Sequence, residues 1–177
     1  MKTICVVIPT TGRDTLERAV ASANAFAHQV LVVADGAPHV DAALHVDLGC
    51  PGLVRNAAAE YVWTDLVAFC DDDDVLVPDV YRRGVEMHPD VDMLIHTMWD
   101  RTVGFVPRPG WPIEYGNVGI SFVLQTAVWR EQPFIAGPPR TFRGEDFELV
   151  RRFIDQGRTI AVSQEVGYLV RPQEGPS

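Results

Sequence analysis

Residues 66–74 read LVAFCDDDD, and this stretch decides the fold because a short apolar run is followed at once by four carboxylates. The run 66–70 is typical of a strand that is buried on both faces, as in parallel sheets. Side chains directly after such a strand lie at the carboxyl end of the sheet, where open α/β sheets bind ligands. Two like charges about 4 Å apart repel by roughly 4 kcal/mol at an effective dielectric of about 20, so these aspartates need either full solvation or a divalent cation. The adjoining buried strand favours the cation site over a solvated acidic turn.

Composition and charge indicate an ordinary globular chain. Its 177 residues, 47% of them hydrophobic, suffice for one domain that buries about 70% of its unfolded surface. The net charge of −9 disfavours nonspecific binding to nucleic acid or to an anionic membrane. The three cysteines lack metal-finger spacing, which indicates free thiols in a reducing compartment. Without a signal peptide or an apolar run long enough to cross a bilayer, the sequence predicts a cytoplasmic protein with no transmembrane segment.

Two further apolar strands precede the central one along the chain. Residues 4–8 and 30–33 predict buried strands, and a helix that begins at Asp14 or Thr15 connects them in a right-handed crossover. The three strands are followed by Thr10, by Asp35 and by the aspartates 71–74. Because the carboxyl ends of parallel strands meet at one edge of a sheet, these polar groups are expected to form one pocket.

The rest of the chain completes the prediction of a single α/β domain over residues 1–177, with a Rossmann-like, mostly parallel central sheet flanked by helices and a mixed C-terminal part. Helical segments are expected after Pro38, over 53–63 and from Pro78 to Met87. Residues 104–119 have no regular period and predict a long loop, of the kind that is functional or mobile. An amphipathic helix begins at Gly144, and two short strands follow at 159–162 and 166–170.

Five segments between residue 3 and about residue 160 resemble, in the expected order, the motifs of glycosyltransferase family 2, which has the nucleotide-diphospho-sugar transferase (GT-A) fold. They are VVIPTTGR at 6–13, VVADG at 32–36, GCPGLVRN at 49–56, FCDDDD at 69–74 with PD at 78–79, and RGEDFEL at 143–149. The resemblance implies a metal-dependent, inverting transfer of a sugar from a nucleoside diphosphate, UDP above all, to an acceptor hydroxyl. It also divides the domain into a donor half, 1–80, and an acceptor and catalytic-base half, 90–170.

The resemblance assigns a role to each polar strand end. Asp73 would hold Mn²⁺ or Mg²⁺ with support from Asp71, and the cation would stabilise the charge that develops on the departing diphosphate. Asp72 would face the ribose, and Asp35 would accept a hydrogen bond from the imide N–H of the base. The donor-binding residues that it implies are Pro9, Thr10, Asp35, Asp72 and Arg55, the last of which would mainly brace the strand ends.

The catalytic base that the resemblance implies is Asp146, next to Glu145, and direct displacement with this base would invert the anomeric centre. The two acids would also suit a helix N-terminus on capping and dipole grounds alone, so a purely structural role is the competing interpretation. Trp111 and Tyr115 could stack on a sugar ring or could anchor their loop. Two arginines of an irregular stretch, Arg140 and Arg143, could clamp the diphosphate when a lid closes.

The sequence departs from the family pattern at several positions. Ala34 and Ala37 replace an acid and a serine of the second motif, and Thr11 and Gly12 replace a tyrosine and an asparagine of the first. These changes bear on how the base of the nucleotide is held. No histidine follows residue 146, so the late histidine ligand of some related enzymes is absent. The Q-x-x-R-W signature of processive membrane relatives is also missing, so the resemblance implies a non-processive transferase, of the hexosyltransferase type.

Two other functions compete with this prediction. A sugar-nucleotide pyrophosphorylase would need a Gly-rich phosphate loop with Arg and Lys after the first strand, where this chain offers only Gly12 and Arg13. A catalytically silent module that binds a nucleotide sugar or a protein would explain the departures from the motifs. The partner predicted with most support is a nucleotide-sugar donor, whereas the acceptor (glycan, lipid-linked, protein or small molecule) is not specified by any motif.

Overall fold

The computed structural model describes residues 1–135 and 144–172. Its strands are β1 (Ile4–Thr10), β2 (Gln29–Asp35), β3 (Leu44–Val46), β4 (Leu66–Phe69), β5 (Val75–Leu76), β6 (Met93–Asp100), β7 (Gly104–Val106), β8 (Phe122–Gln125) and β9 (Ile160–Val170). Its helices are α1 (Leu16–Asn24), α2 (Pro51–Ala57), α3 (Pro78–Met87), α4 (Thr126–Glu131) and α5 (Glu145–Asp155). The strands form one sheet in the order β3-β2-β1-β4-β8-β6-β9-β5, and β7 pairs with β6 outside this path.

The first half of the sheet is wholly parallel. β1 pairs with β2 on one side and with β4 on the other, so that Val7 lies opposite both Leu31 and Phe69. Every residue of β4 is buried, as is expected of a strand that is covered on both faces. The parallel order brings the ends of β1, β2 and β4 to the same edge, which confirms the predicted meeting of Thr10, Asp35 and the aspartates.

The second half of the sheet is mixed. β8 runs antiparallel to both β4 and β6, whereas β9 runs parallel to β6 and antiparallel to β5. The pairing of β6 with β9 is irregular on both sides of Thr97, where β9 accommodates two additional residues before Val166 and one after it. The two strands predicted over 159–170 are therefore one long strand, because a bulge absorbs the exposed polar residues in its middle. The α/β class with a mixed C-terminal part is confirmed.

Three local expectations need correction. The segment after Pro38 forms a turn rather than a helix. α2 begins at Pro51, two residues before the predicted start, because proline suits the first turn of a helix, and it ends at Ala57. The expected loop 104–119 contains the short strand β7, which pairs with the end of β6. Arg140 and Arg143 lie outside the described residues.

An aromatic cluster supports the edge of the sheet where the polar residues meet. The ring of Phe69 makes edge contacts with Phe122, Trp129 and Phe134 at centroid distances of 5.9, 5.4 and 5.2 Å. All four side chains are buried, and their packing holds the end of β4, which leads into the aspartates, in place. Within residues 1–135 and 144–172, no helix combines the length and apolarity that a membrane span would require.

Candidate active site

The carboxyl edge of the parallel strands carries a cavity of about 210 Å³. Its walls come from the ends of β1, β2 and β4 and from the first turns of α2 and α5. The predicted site residues among its lining are Pro9, Thr10, Asp35, Arg55, Asp71, Asp72, Glu145 and Asp146. Asp73 lies on the far side of the aspartate turn, where it lines two neighbouring cavities. The fold thus brings the predicted donor and base residues around one space.

Asp72 is the most tightly held of the four aspartates in this turn. Its buried carboxylate accepts a hydrogen bond of 2.6 Å from the hydroxyl of Thr10 and one of 3.0 Å from Arg13. The Thr10 hydroxyl in turn accepts a bond of 2.9 Å from the N–H of Gly12. Gly12 has a φ of +87°, which glycine adopts without the strain of a side chain. The glycine that replaces the asparagine of the motif therefore fits a turn in which Thr10 is oriented toward Asp72.

Arg55 connects the aspartates to the predicted base. Its guanidinium is almost completely buried, lies 2.6 Å from Asp71, and reaches Glu145 and Asp146 at 3.5 and 3.7 Å. Its guanidinium carbon also lies 5.4 Å from the ring centre of Phe134. Burial acts to lower the pKa of Arg55, but the three carboxylates outweigh it and raise the pKa above its ordinary value. These contacts make Arg55 a brace between α2, the end of β4 and α5, as its predicted supporting role requires.

Asp146 is the second residue of α5 and lies where three cavities meet. Its Oδ1 atom is buried without a hydrogen-bond partner, although 27% of the side chain remains exposed. Burial raises the pKa of Asp146 from 3.8 to about 7, with Arg55 opposing and Glu145 and Asp71 adding to the rise. A carboxylate with a pKa near neutrality can accept a proton efficiently at neutral pH.

The aspartates 73 and 74 are held by three arginines that were not among the predicted site residues. The Oδ2 atom of Asp73 lies 2.6 Å from Arg13, and its backbone carbonyl accepts a bond of 3.2 Å from Arg18. Asp74 is buried and accepts a bond of 2.8 Å from the N–H of Arg171. Burial, followed by the charge of Asp71, raises the pKa of Asp74 to about 7. Of these partners, only Arg13 carried a sequence signal, as the last residue of the first motif.

The donor set suits a divalent cation that is shared with a ligand. Within the described parts of the chain, no three His, Cys, Asp or Glu side chains converge as a metal cage would need. Mg²⁺, however, is commonly bound by one or two carboxylates together with substrate phosphates and water. Asp71 and Asp73 flank the buried Asp72 and would supply two such carboxylates, each of which faces a cavity large enough for a ligand group.

Asp35 stabilises one wall of the cavity through hydrogen bonds to the loop before α2. Its carboxylate accepts bonds of 2.7 Å from the N–H of Leu48 and 3.0 Å from the N–H of Gly49. These bonds fix the loop that leads into α2 and thereby position Pro51 and Arg55. The expected bond from Asp35 to a nucleotide base stays a prediction.

The two predicted aromatic residues lie in different surroundings. Tyr115 is exposed, contacts the ring of Phe147 edge to face at 6.0 Å, and lines a cavity together with Asp146. Trp111 is exposed and has the guanidinium of Arg108 5.0 Å from its ring centre. Tyr115 is thus close to the predicted base, whereas the contact of Trp111 is with its own loop.

The fold is the GT-A nucleotide-diphospho-sugar transferase fold, which the match to solved structures confirms. S. aureus TarS 1-349 in complex with UDP-GlcNAc matches with a TM-score of 0.72 and 19% identity, over 98% of this chain and 60% of that chain. Glucosyl-3-phosphoglycerate synthase from Mycobacterium tuberculosis, in complex with Mg²⁺ and UDP, matches with a TM-score of 0.73 and 16% identity, over 98% and 73%.

The same fold also occurs in 4-diphosphocytidyl-2C-methyl-D-erythritol synthase from Anaerococcus prevotii, with a TM-score of 0.63 and 12% identity over 92% of this chain and 86% of that chain. No protein-family model and no curated protein sequence matches the chain. The chain spans about 60% of the TarS fragment. These likenesses show the fold, and the reaction has to be argued from the site.

Proposed function

We propose that this protein is a metal-dependent, inverting glycosyltransferase that moves a hexose from a UDP-sugar to an acceptor hydroxyl, one transfer at a time. The observation that carries the proposal is the position of Asp146. Its Oδ1 atom has no hydrogen-bond partner, its pKa is about 7, and it lines the same cavity as Asp71 and Asp72. This position supports Asp146 as the proton acceptor, beside the strand ends at which the nucleotide would bind.

The donor would bind against the ends of β1 and β4. Thr10 holds the carboxylate of Asp72 in one orientation, which would present it to a ribose. Asp71 and Asp73 would hold the divalent cation, and the bound cation would stabilise negative charge on the leaving diphosphate. Arg55 keeps Asp71 in place through a bond of 2.6 Å, and its other nitrogen faces Asp146.

The acceptor would enter from the side of the cavities that Asp146 shares with Tyr115 and with Gly119. Its hydroxyl would give its proton to the carboxylate of Asp146 while the oxygen attacks the anomeric carbon and UDP departs with the bonding electrons. The attacking and leaving groups lie on opposite faces, so the anomeric centre inverts. Because the pKa of Asp146 is about 7, transfer should rise with pH through this value.

Two alternatives remain in view. A nucleotidyltransferase is favoured by the shared fold of the Anaerococcus prevotii synthase, but the segment after β1 contains one glycine and one arginine where a phosphate loop would need more. A catalytically silent nucleotide-sugar or protein-binding module would keep the cavity without turnover. Two incubations with Mn²⁺ separate them. The transferase releases UDP from UDP-sugars, the nucleotidyltransferase releases pyrophosphate from a nucleoside triphosphate and a sugar phosphate, and the module does neither.

Calorimetric titration of UDP with and without Mn²⁺ tests the metal role. We expect Mn²⁺ to tighten UDP binding in the wild type, and Asp73→Asn to remove most of that gain. Asp79→Asn is the matched control, because Asp79 is an exposed acid, 75% accessible, outside the lining of the cavity. If the wild type binds UDP with the same affinity in the presence and in the absence of Mn²⁺, the proposal is contradicted.

A further inference from the structure

Arg13 forms an unusual bridge in the loop after β1. Its Nη1 atom lies 3.0 Å from Asp72 Oδ1 and 2.6 Å from Asp73 Oδ2, so that one nitrogen contacts two adjacent carboxylates. The Arg13 side chain is 53% exposed, whereas those of Asp72 and Asp73 are only 6% and 23% exposed. A mobile cation on a long side chain thus neutralises two shielded anions that would otherwise repel each other.

The bridge occupies the carboxylate that the proposed cation needs. Asp73 Oδ2 is in direct contact with the guanidinium, and a divalent ion bound to the same oxygen would bring two positive groups within a few ångströms. Among residues 1–135 and 144–172, the next cation at this oxygen is Arg171, at 3.9 Å. Arg18 is engaged with the backbone carbonyls of Asp73 and Pro172.

Arg13 has space to move away from the aspartates. It lines the cavity of about 210 Å³ at the strand ends and also the adjoining one of about 660 Å³. A diphosphate in the first of these would offer oxygens that match the fork of a guanidinium. The side chain can therefore exchange a carboxylate partner for a phosphate partner without a change of the fold.

We propose that Arg13 is a tethered counter-ion that holds Asp72 and Asp73 in the nucleotide-free protein and passes to the diphosphate when the divalent cation takes its place. This inference rests on the proposed function and adds a positioning residue to it. Its consequence is that the cation and the nucleotide bind cooperatively. The diphosphate draws Arg13 away from Asp73, which the cation requires, and the cation releases Arg13 for the diphosphate. Such coupling is reciprocal.

The test compares the wild type with Arg13→Gln. Mn²⁺ alone should bind roughly tenfold more tightly to Arg13→Gln, because the half-exposed ion pairs that compete with the ion are modest and are gone in the variant. The factor by which UDP tightens Mn²⁺ binding should fall in the variant by a similar ratio. Arg151→Gln is the matched control, since Arg151 is 50% exposed, bridges Glu148 and Asp155 at 2.8 Å each, and is not among the residues that line the two cavities of Arg13.

A second measurement follows the side chain itself. In ¹⁵N NMR of the wild type, the guanidinium signal of Arg13 should shift on addition of Mg²⁺ together with UDP, and that of Arg151 should not. Unchanged Mn²⁺ affinity and unchanged coupling in Arg13→Gln would overturn the inference while the transferase proposal stands. If UDP binding to the wild type is indifferent to Mn²⁺, the proposed metal role fails, and this inference fails with it.

Discussion

Replacement of Asp146 by asparagine should stabilise the protein at pH 8 while it abolishes transfer. The folded-state pKa of Asp146 is about 7 and its ordinary value is 3.8, chiefly because of burial. Between these two values the folded protein binds more protons than the unfolded chain, so stability falls as the pH rises. Above pH 7 the folded wild type must bury an ionised carboxylate, which lowers its stability. The asparagine variant buries a neutral amide of the same shape and does not have this cost.

The gain in the free energy of unfolding can be worked out from the difference between the two pKa values. A tenfold change in an equilibrium constant equals about 1.4 kcal/mol, which gives roughly 4 kcal/mol as an upper bound. Because 27% of the side chain is exposed, screening by solvent reduces the expected gain to about 1–3 kcal/mol. Well below pH 3.8, where both states of the wild type are protonated, the two proteins should be equally stable.

Urea denaturation at pH 8 and at pH 5 measures this difference, and UDP titration checks that nucleotide affinity is retained. Asp79→Asn is the matched control, because Asp79 is the second residue of α3 as Asp146 is of α5. Loss of an exposed acid at a helix N-terminus should cost about 0.3–1 kcal/mol. If Asp146→Asn is also less stable than the wild type at pH 8, Asp146 is a helix-dipole residue and its role as the base is refuted.

Three further substitutions test the architecture by urea denaturation at pH 7. Arg55→Met should lower the free energy of unfolding by about 2–4 kcal/mol, because it leaves partly buried carboxylates without their cation, while Arg151→Met on the surface should cost about 0.5 kcal/mol or less. Phe69→Ala should cost about 3–5 kcal/mol through a cavity in the aromatic cluster; a loss below about 1 kcal/mol would show that the core does not depend on this ring. Gly84→Ala should cost about 1–3 kcal/mol, because the added Cβ would meet the buried ring of His96, and a neutral result would mean that this ring can move aside.

Several features of this protein were predictable from short segments of its sequence. The apolar runs that became β1, β2 and β4 have polar residues directly after them, and in a parallel sheet this local order forces Thr10, Asp35 and the aspartates to one edge. The period of α5 and its acidic first turn were equally visible. β5 and β7, with two and three residues, were not found, because such short strands are defined by their partners rather than by their own composition.

The chemistry of the site depended on contacts between distant residues. Arg55 and Glu145 are 90 positions apart, and Arg13 and Asp72 are 59 apart, so no local pattern could pair them. The same holds for the pKa of Asp146, which is set by burial against neighbours from other elements. The sequence by itself determined which side chains reach the carboxyl edge, because an apolar run and the polar residues directly after it are local features of the chain. Only the tertiary structure decided which charges neutralise one another there, because Coulomb interactions and desolvation depend on distance in space.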